Sequence, residues 1–368
     1  MLKIRAVEAI PVRVPRVHAS ESAFGIRSHT DAGIVRIEAS DGVVGWGEIS
    51  LVWWRLGSGL CEAVNEILAP ALIGEDPMAI SRIMEKLRSL LPGKHDGPAL
   101  AGIEMALIDL VGRETSLPAY MFLGGAFRTK IDLSMSLHIA EPSAVAAEAT
   151  KWVAQGFSTL KIKMGRDWNR DRLALEAVRS AVGAGVRLRV DVNEGWSSVP
   201  LAASRLDEMR QYDVELVEQP LGAEDLIGMR ELRARSSIPL AIDDGVWTAR
   251  DASDIIRERA ADVLNVYVSE SGGMIAGRHI AEVARTAGLQ CWVGSMPELG
   301  IGTAANAHLA AAMPELSLAS DVCGFLYHAA DVLTTPLVVD NGSIAVPTGP
   351  GLGIEVDSAA VENWRLRA

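Results

Sequence analysis

Residues 159–164 read TLKIKM, and three later segments read RLRVDVN (187–193), VELVEQP (214–220) and PLAIDD (239–244). Each is a short apolar run that ends in charge. Successive side chains of a strand point to opposite faces, so Lys161 and Lys163 share one face while Leu160, Ile162 and Met164 share the other. A solvated edge strand is the simple reading of a lone KxK, but the apolar neighbours argue against an edge. Amphipathic stretches separate the runs, such as DRLALEAVRSAV (171–182) and LAASRLDEMRQY (201–212).

The same alternation extends outward. DLSMSLHI (132–139) precedes these runs; DVLNVYV (262–268), LQCWVG (289–294) and LSLASD (316–321) follow them. Repeated strand–helix units require parallel strands and right-handed crossovers. Eight strands of this kind predict an α/β fold, a (β/α)8-type barrel of modified TIM form, over residues 126–335. An open doubly wound sheet is the rival. No GxGxxG follows a strand and no GxxxxGK[ST] occurs, so a nucleotide fold has no support.

Residues 1–125 read differently. KIRAVEAIPVRV (3–14) and AGIVRIEASDGVVGWGE (32–48) alternate like antiparallel strands, with a hairpin turn at Asp41-Gly42. Helical patterns follow, ending in ALAGIEMALIDLVGR (99–113). This predicts an N-terminal α+β capping domain. The tail, residues 336–368, reads as strands and turns that return to it.

The composition narrows the function. The 368 residues carry a net charge of −12 and no lysine- or arginine-rich tract, which argues against nucleic acid and anionic membrane surfaces as partners. Cys61, Cys291 and Cys323 are widely spaced, with no CxxC, so disulfides are not expected and a reduced cytoplasmic setting is. No run approaches the ~20 apolar residues that span a bilayer. A small-molecule partner and a homo-oligomer are expected.

Barrel enzymes place reactive groups at the carboxyl ends of strands. Here those ends carry Lys163, Asp191 with Asn193, Glu218, and Asp243 with Asp244. Asp191, Glu218 and Asp243 recur at about one strand–helix unit, so three carboxylates converge. They repel one another unless a cation neutralises them, and an oxygen-only set suits a hard divalent ion such as Mg2+. Each acid alone reads equally well as a cap for the next helix. Beside such an ion the lysines are not stranded, and a cation cluster lowers a lysine pKa toward a neutral, proton-accepting amine.

KIK, DVNEGW, VEQP and IDD in this order, with GVVGWGE, GIEMALIDL and FLGG before them and PTGPGLGIEV after, resemble the enolase superfamily. Within it the chain is similar to the muconate-lactonizing-enzyme-like group, also known with mandelate racemase. The resemblance covers nearly the whole chain. It implies that Asp191, Glu218 and Asp243 bind magnesium and that Lys163 removes a proton α to a carboxylate, giving an enediolate. Lys161 would bind the substrate carboxylate and tune Lys163. The pairing of a lysine or histidine base with magnesium is an established pattern of that superfamily.

One departure matters. The group usually has a lysine on the sixth strand, in a pattern like NIKxxKxGG; this chain reads NVYVSESGG, with Tyr267 and Glu270 at the lysine positions. Racemisation needs a group on each face of the substrate, whereas elimination needs one base. A lyase, dehydrating a small hydroxylated carboxylate or an amino or imino acid, is therefore expected ahead of a racemase, epimerase or cycloisomerase using Lys163 with Tyr267. A non-catalytic carboxylate-binding barrel, with Tyr267 a packing residue, is the third reading.

Further contacts are expected from Asn193, Asp244, His138, Glu298 and Asp321. The dipeptide epimerases of the group often bind an ammonium through DxD where this chain has Asp321 and Cys323. His138 also reads as a structural histidine and Glu298 as a helix-start acid. The polar stretch 18–31 and the stretch 50–59, with Trp53 and Trp54, read as two specificity loops that close over the site; both tryptophans also read as packing residues.

Overall fold

Three antiparallel strands, Ile4–Ser22, Gly25–Ala39 and Val44–Ser50, open the chain in the computed structural model, which describes residues 2–23, 25–50 and 57–367. The turn at Asp41-Gly42 joins the second to the third, with Gly42 at φ +96°. The stretch 18–31, expected as a loop, is instead the tip of the first hairpin: Ser20 pairs with Arg27, Glu21 with Ile26 and Ser22 with Gly25. The ladder shifts register between Pro15 and Ser20. Most side chains of this tip are polar and exposed or half-buried, so it lacks the apolar alternation that marks a strand in sequence. Trp53 and Trp54 lie outside the described residues.

The sheet packs on the helix Gly97–Thr115, which is buried along most of its length. Gly45 and Gly47 permit that approach: a Cβ at Gly47 would lie 2.0 Å from the Gly102 carbonyl oxygen, and one at Gly45 2.2 Å from that of Ala106. The GVVGWGE stretch is thus a packing motif.

Seven parallel strands follow: Ser134–Leu137, Thr159–Lys163, Arg187–Asp191, Val214–Glu218, Leu240–Ile242, Val263–Val266 and Gln290–Val293. They pair in chain order as one sheet. The expected eighth strand shrinks to a bridge. Ser320 pairs in parallel with Leu133, its backbone bonds Ser134 and Asp132 at 2.8 and 2.9 Å, and Asp321 N donates to Val293 O at 2.8 Å. That bridge closes the sheet into a barrel of modified TIM form. The floor is a small cluster of Leu216, Ala241, Val263 and Trp292. Arg189, fully buried, lies with its guanidinium 5.2 Å from the Trp292 ring.

Buried carboxylates tie the cap to the tail and to the barrel. Asp109 accepts from Trp46 N (2.9 Å), Leu352 N (2.8 Å) and Arg113 (3.0 Å). Glu48 accepts from Leu299 N (2.8 Å) and Gly302 N (2.7 Å), at the start of the helix Gly300–Ala312. The tail returns to the first strand, where Leu366 N donates to Pro11 O.

Burial raises the Glu48 pKa to about 8, against hydrogen bonds from Ser50 and Gly302 that lower it. The folded state therefore holds a proton that the unfolded chain releases above its model value of 4.5. Stability falls with rising pH across that window and levels off above about 8. Glu48→Gln should flatten the decline, by at most about 1.4 kcal/mol per pH unit. Denaturant unfolding of both proteins from pH 5 to 9 at fixed magnesium checks this; parallel slopes would refute it.

Candidate active site

The register of the parallel strands builds the site. Lys163 pairs with Asp191, and Asp191 with Glu218. Lys161 is aligned one layer deeper with Arg189. Asp243 follows the fifth strand, Leu240–Ile242. One carboxylate oxygen from each of Asp191, Glu218 and Asp243 lies within 4.8 Å of the others, and all three residues are buried. They form the one such group among the described residues.

Electrostatics show what this costs the protein alone. Burial raises the Asp243 pKa to about 8, with Asp244 and Asp191 adding repulsion. Burial and Asp191 push Glu218 upward too, although Lys161 opposes them. Glu218 Oε2 lies 3.0 Å from Lys161 Nζ but makes no hydrogen bond. An all-oxygen set, crowded, buried and short of partners, fits a hard divalent cation such as magnesium.

The lysines border this triad. Lys163 Nζ donates to Asp191 Oδ2 at 2.5 Å and to Asn193 Oδ1 at 3.0 Å. Lys161 Nζ lies 2.6 Å from Asp321 Oδ2 and 3.0 Å from Glu218. A lowered lysine pKa was expected; the protein's own charges give the reverse. Burial draws Lys163 down, but Asp191 outweighs it and the net direction is upward. Lys161 is likewise raised, because Asp321 and Glu218 overcome its burial.

Tyr267 lies just beyond the sixth strand, Val263–Val266, diametrically across the barrel from Lys163. Burial, then the Asp243 and Glu218 charges, raise its pKa, so the phenol keeps its proton. Asn265 Nδ2 donates to Tyr267 Oη (3.0 Å) and lies 3.0 Å from Glu218 and 3.1 Å from Asp243. Asn265 and Gln219, whose Oε1 accepts from Asp243 N at 2.9 Å, were not among the expected site residues. For Asn265 the signal was present: it alternates with Tyr267, hence the same face.

A cavity opens above these groups. Lys161, Lys163, Asp243, Tyr267, His138 and Asp321 line it, together with Arg16 and Arg27 from the capping hairpin. His138 follows the first barrel strand and lines the cavity. Three further expected residues are placed as follows. Asp321 lines the cavity and is engaged by Lys161 and by Trp292 Nε1 (3.3 Å). Glu298 folds back on its own loop, accepting from Met296 N and Ser295 Oγ, and is not among the residues lining the cavity. Asp244 lines a second cavity with Lys94, Glu194 and Trp247. Both carboxylates sit where local backbone N–H groups or a neighbouring cleft draw them aside.

A closed parallel barrel with an acid triad facing a lysine pair is an arrangement suited to metal-assisted proton abstraction. Two family models match: the mandelate racemase / muconate lactonizing enzyme N-terminal domain over residues 5–124, and the enolase C-terminal domain-like model over 144–360. The chain belongs to the enolase superfamily, in its muconate-lactonizing-enzyme-like group. It is 32% identical to the L-Ala-D/L-Glu epimerase of Bacillus subtilis (strain 168), over 96% of this chain and 97% of that one. The muconate lactonizing enzyme of Pseudomonas fluorescens, solved with muconolactone, superimposes with a TM-score of 0.95 at 28% identity, covering 99% of both chains. The dipeptide epimerase of Enterococcus faecalis V583, solved with Mg and a dipeptide, gives 0.90 at 30% identity, covering 96% of this chain and 99% of that one.

Proposed function

We propose that the chain is a magnesium-dependent isomerase that removes a proton α to the carboxylate of a small molecule, with Lys163 as the base. The observation that carries this reading is the position of the Lys163 amine, which borders the acid triad and opens into the same cavity. Asp191, Glu218 and Asp243 would hold the ion, the metal named in the Enterococcus faecalis structure. Magnesium, when bound, supplies positive charge that offsets the negative charge building on the substrate carboxylate. Lys161, clamped between Glu218 and Asp321, presents a fixed ammonium to a carboxylate oxygen. Asp191 is what raises the Lys163 pKa, so offsetting that charge with an ion would free the amine to take the α-proton and hold it at Nζ beside Asn193. Residues 1–125 would close the cavity, 126–335 carry the chemistry and 336–368 tie the two together.

Dehydration came first from the sequence alone, because Tyr267 replaces a lysine and elimination needs one base. The relatives are epimerases and a lactonizing enzyme, so isomerisation takes precedence. The one-base argument carries over. An elimination whose leaving group stays tethered is a cycloisomerisation, and its proton leaves from and returns to one face. Tyr267 favours this form, since its hydroxyl is occupied with Asp243 and Asn265. Epimerisation is the second reading, favoured by the place of Tyr267 across the cavity from Lys163.

Tyr267→Phe separates the two. With a panel of carboxylates in D2O, α-deuteration should fall by less than about 100-fold, below the range for loss of a general acid or base. Selective loss of inverted product would establish epimerisation instead. Loss of all exchange in the variant, with metal binding intact, would overturn the one-base reading.

A further inference from the structure

Lys163 is the last residue of its strand, and the residues after it decide how firmly it is held. Met164 N still donates to Asp191 O at 2.8 Å, but Gly165 N turns out of the ladder and donates to Asp171 Oδ2 at 2.8 Å. Gly165 has φ +112°, a conformation that favours glycine. Its other flank is closed by main chain. A Cβ there would lie 2.4 Å from Val192 O and 3.3 Å from Gly195 Cα, both in the loop that follows Asp191. Gly165 thus sits between a carboxylate and a neighbouring backbone, two residues beyond the Lys163 amine's own Cα.

Asp171 is not needed to cap its own helix, Trp168–Val182. Asp167 already does so, accepting from Asn169 N at 3.0 Å and Arg170 N at 3.3 Å. Asp171 is 4% exposed and turns back toward the strand end. Burial raises its pKa to about 6 and Asp167 adds to that, while the Gly165 bond, Arg205 and Arg170 act against it. A carboxylate is kept out of water here to hold one backbone N–H, and such charge-assisted bonds are the strong kind.

The loop that carries Asp191 and Asn193 is held separately. Glu194 N donates to Gln219 O at 2.8 Å, Gly195 N to Val192 O at 3.0 Å and Trp196 N to Pro220 O at 3.1 Å. The Asp171 bond therefore bears on the Lys163 strand end and not on the acid triad. The Lys163 side chain needs that support. Its amine bonds Asp191 and Asn193, and an ion on Asp191 would compete for the first of these acceptors. The position of the amine then rests on the backbone beneath it.

We propose that Asp171 is a positioning residue for Lys163: by holding the Gly165 backbone against the Val192 carbonyl, it sets where the amine meets the substrate α-carbon. Asp171 is not among the residues lining the cavity, so it acts through Gly165 and not on the substrate. The proposal rests on the isomerase reading above, in which Lys163 is the base, and deepens it.

Asp171→Ala, Asp171→Glu and Asp171→Asn test this in saturating magnesium. Alanine removes the acceptor, glutamate moves it by one methylene, and asparagine keeps an acceptor oxygen in place. A misplacement of about 1 Å costs up to about 100-fold, so kcat for α-deuteration in D2O should fall about tenfold to 100-fold with alanine and glutamate. KM and magnesium affinity should stay within about threefold, and asparagine should restore kcat. The glutamate variant carries the test if alanine does not fold. The nitrogen NMR resonance of the Lys163 amine, assigned by its loss in Lys163→Ala, should shift or broaden with alanine and glutamate and hold with asparagine. Unchanged kcat with alanine and glutamate, equal loss in all three variants, or a loss matched by loss of magnesium affinity would overturn the proposal. If the unaltered enzyme deuterates no acid of the panel, the isomerase reading fails. The Lys163 resonance then decides this proposal by itself, and an unmoved resonance overturns it.

Discussion

Lys163→Ala should lower α-deuterium exchange by about a thousandfold while leaving the divalent ion bound. General acid–base groups contribute about 10²–10⁴-fold, and the Lys163 amine borders the triad and opens into the cavity. Its Nζ stands 2.5 Å from Asp191 Oδ2 and 3.0 Å from Asn193 Oδ1, fixed by two acceptors and open to the cavity. Removing it also removes a positive charge beside a proposed metal ligand, so ion affinity should hold or rise. Lys163→Arg refines the test. It keeps the positive charge, but a guanidinium does not deprotonate in proteins, so exchange should fall as far as with alanine. Exchange that survives either change, measured by proton NMR in D2O, would move the base elsewhere.

Much of the candidate site was legible because barrels repeat. Asp191, Glu218 and Asp243 recur at 27 and 25 residues, about one strand–helix unit, and that spacing alone aligns them. The two lysines were legible from strand alternation. What escaped was set by tertiary contact. Gln219 is an ordinary polar residue in sequence, and only the register brings it against Asp243, whereas the alternation of Asn265 with Tyr267 marks its face but not its contacts with Glu218 and Asp243. Arg27 lies in a stretch read as a loop, where pairing with Ser20 and not apolar pattern makes the strand. Asp321 was placed correctly at the barrel end, but its partner was not. The lysine that claims it comes from the second strand, and closure through Ser320 sets that contact. Backbone geometry was also invisible: Asn193 (φ +44°) and Gln219 (φ +38°) adopt left-handed conformations where strands three and four end. Such conformations are uncommon outside glycine and concentrate at functional sites.

Chelation should abolish α-deuterium exchange, and added magnesium should restore it. The reason is the charge of the triad. Three buried carboxylates with oxygens inside 4.8 Å repel one another, and the two lysines beside them offset only part of that charge. A divalent ion satisfies all three and leaves positive charge facing the cavity. Glu218→Gln tests the same claim with volume conserved. Glu218 is fully buried and lies at the centre of the set, touching Lys161 and Asn265 as well. Loss of its charge should weaken magnesium binding by at least about 100-fold, beyond the effect typical of residues that only support ligands. It should lower exchange in parallel at limiting magnesium. Asn265→Asp is the converse probe, since a fourth carboxylate at 3.0 Å from Glu218 adds repulsion that an ion would offset. Its thermal midpoint should drop in chelator and recover more with magnesium than that of the unaltered protein. Calorimetric magnesium titration and thermal unfolding read both variants. Undiminished affinity in Glu218→Gln would mean that the triad is an anionic cluster held by lysines and not a metal centre.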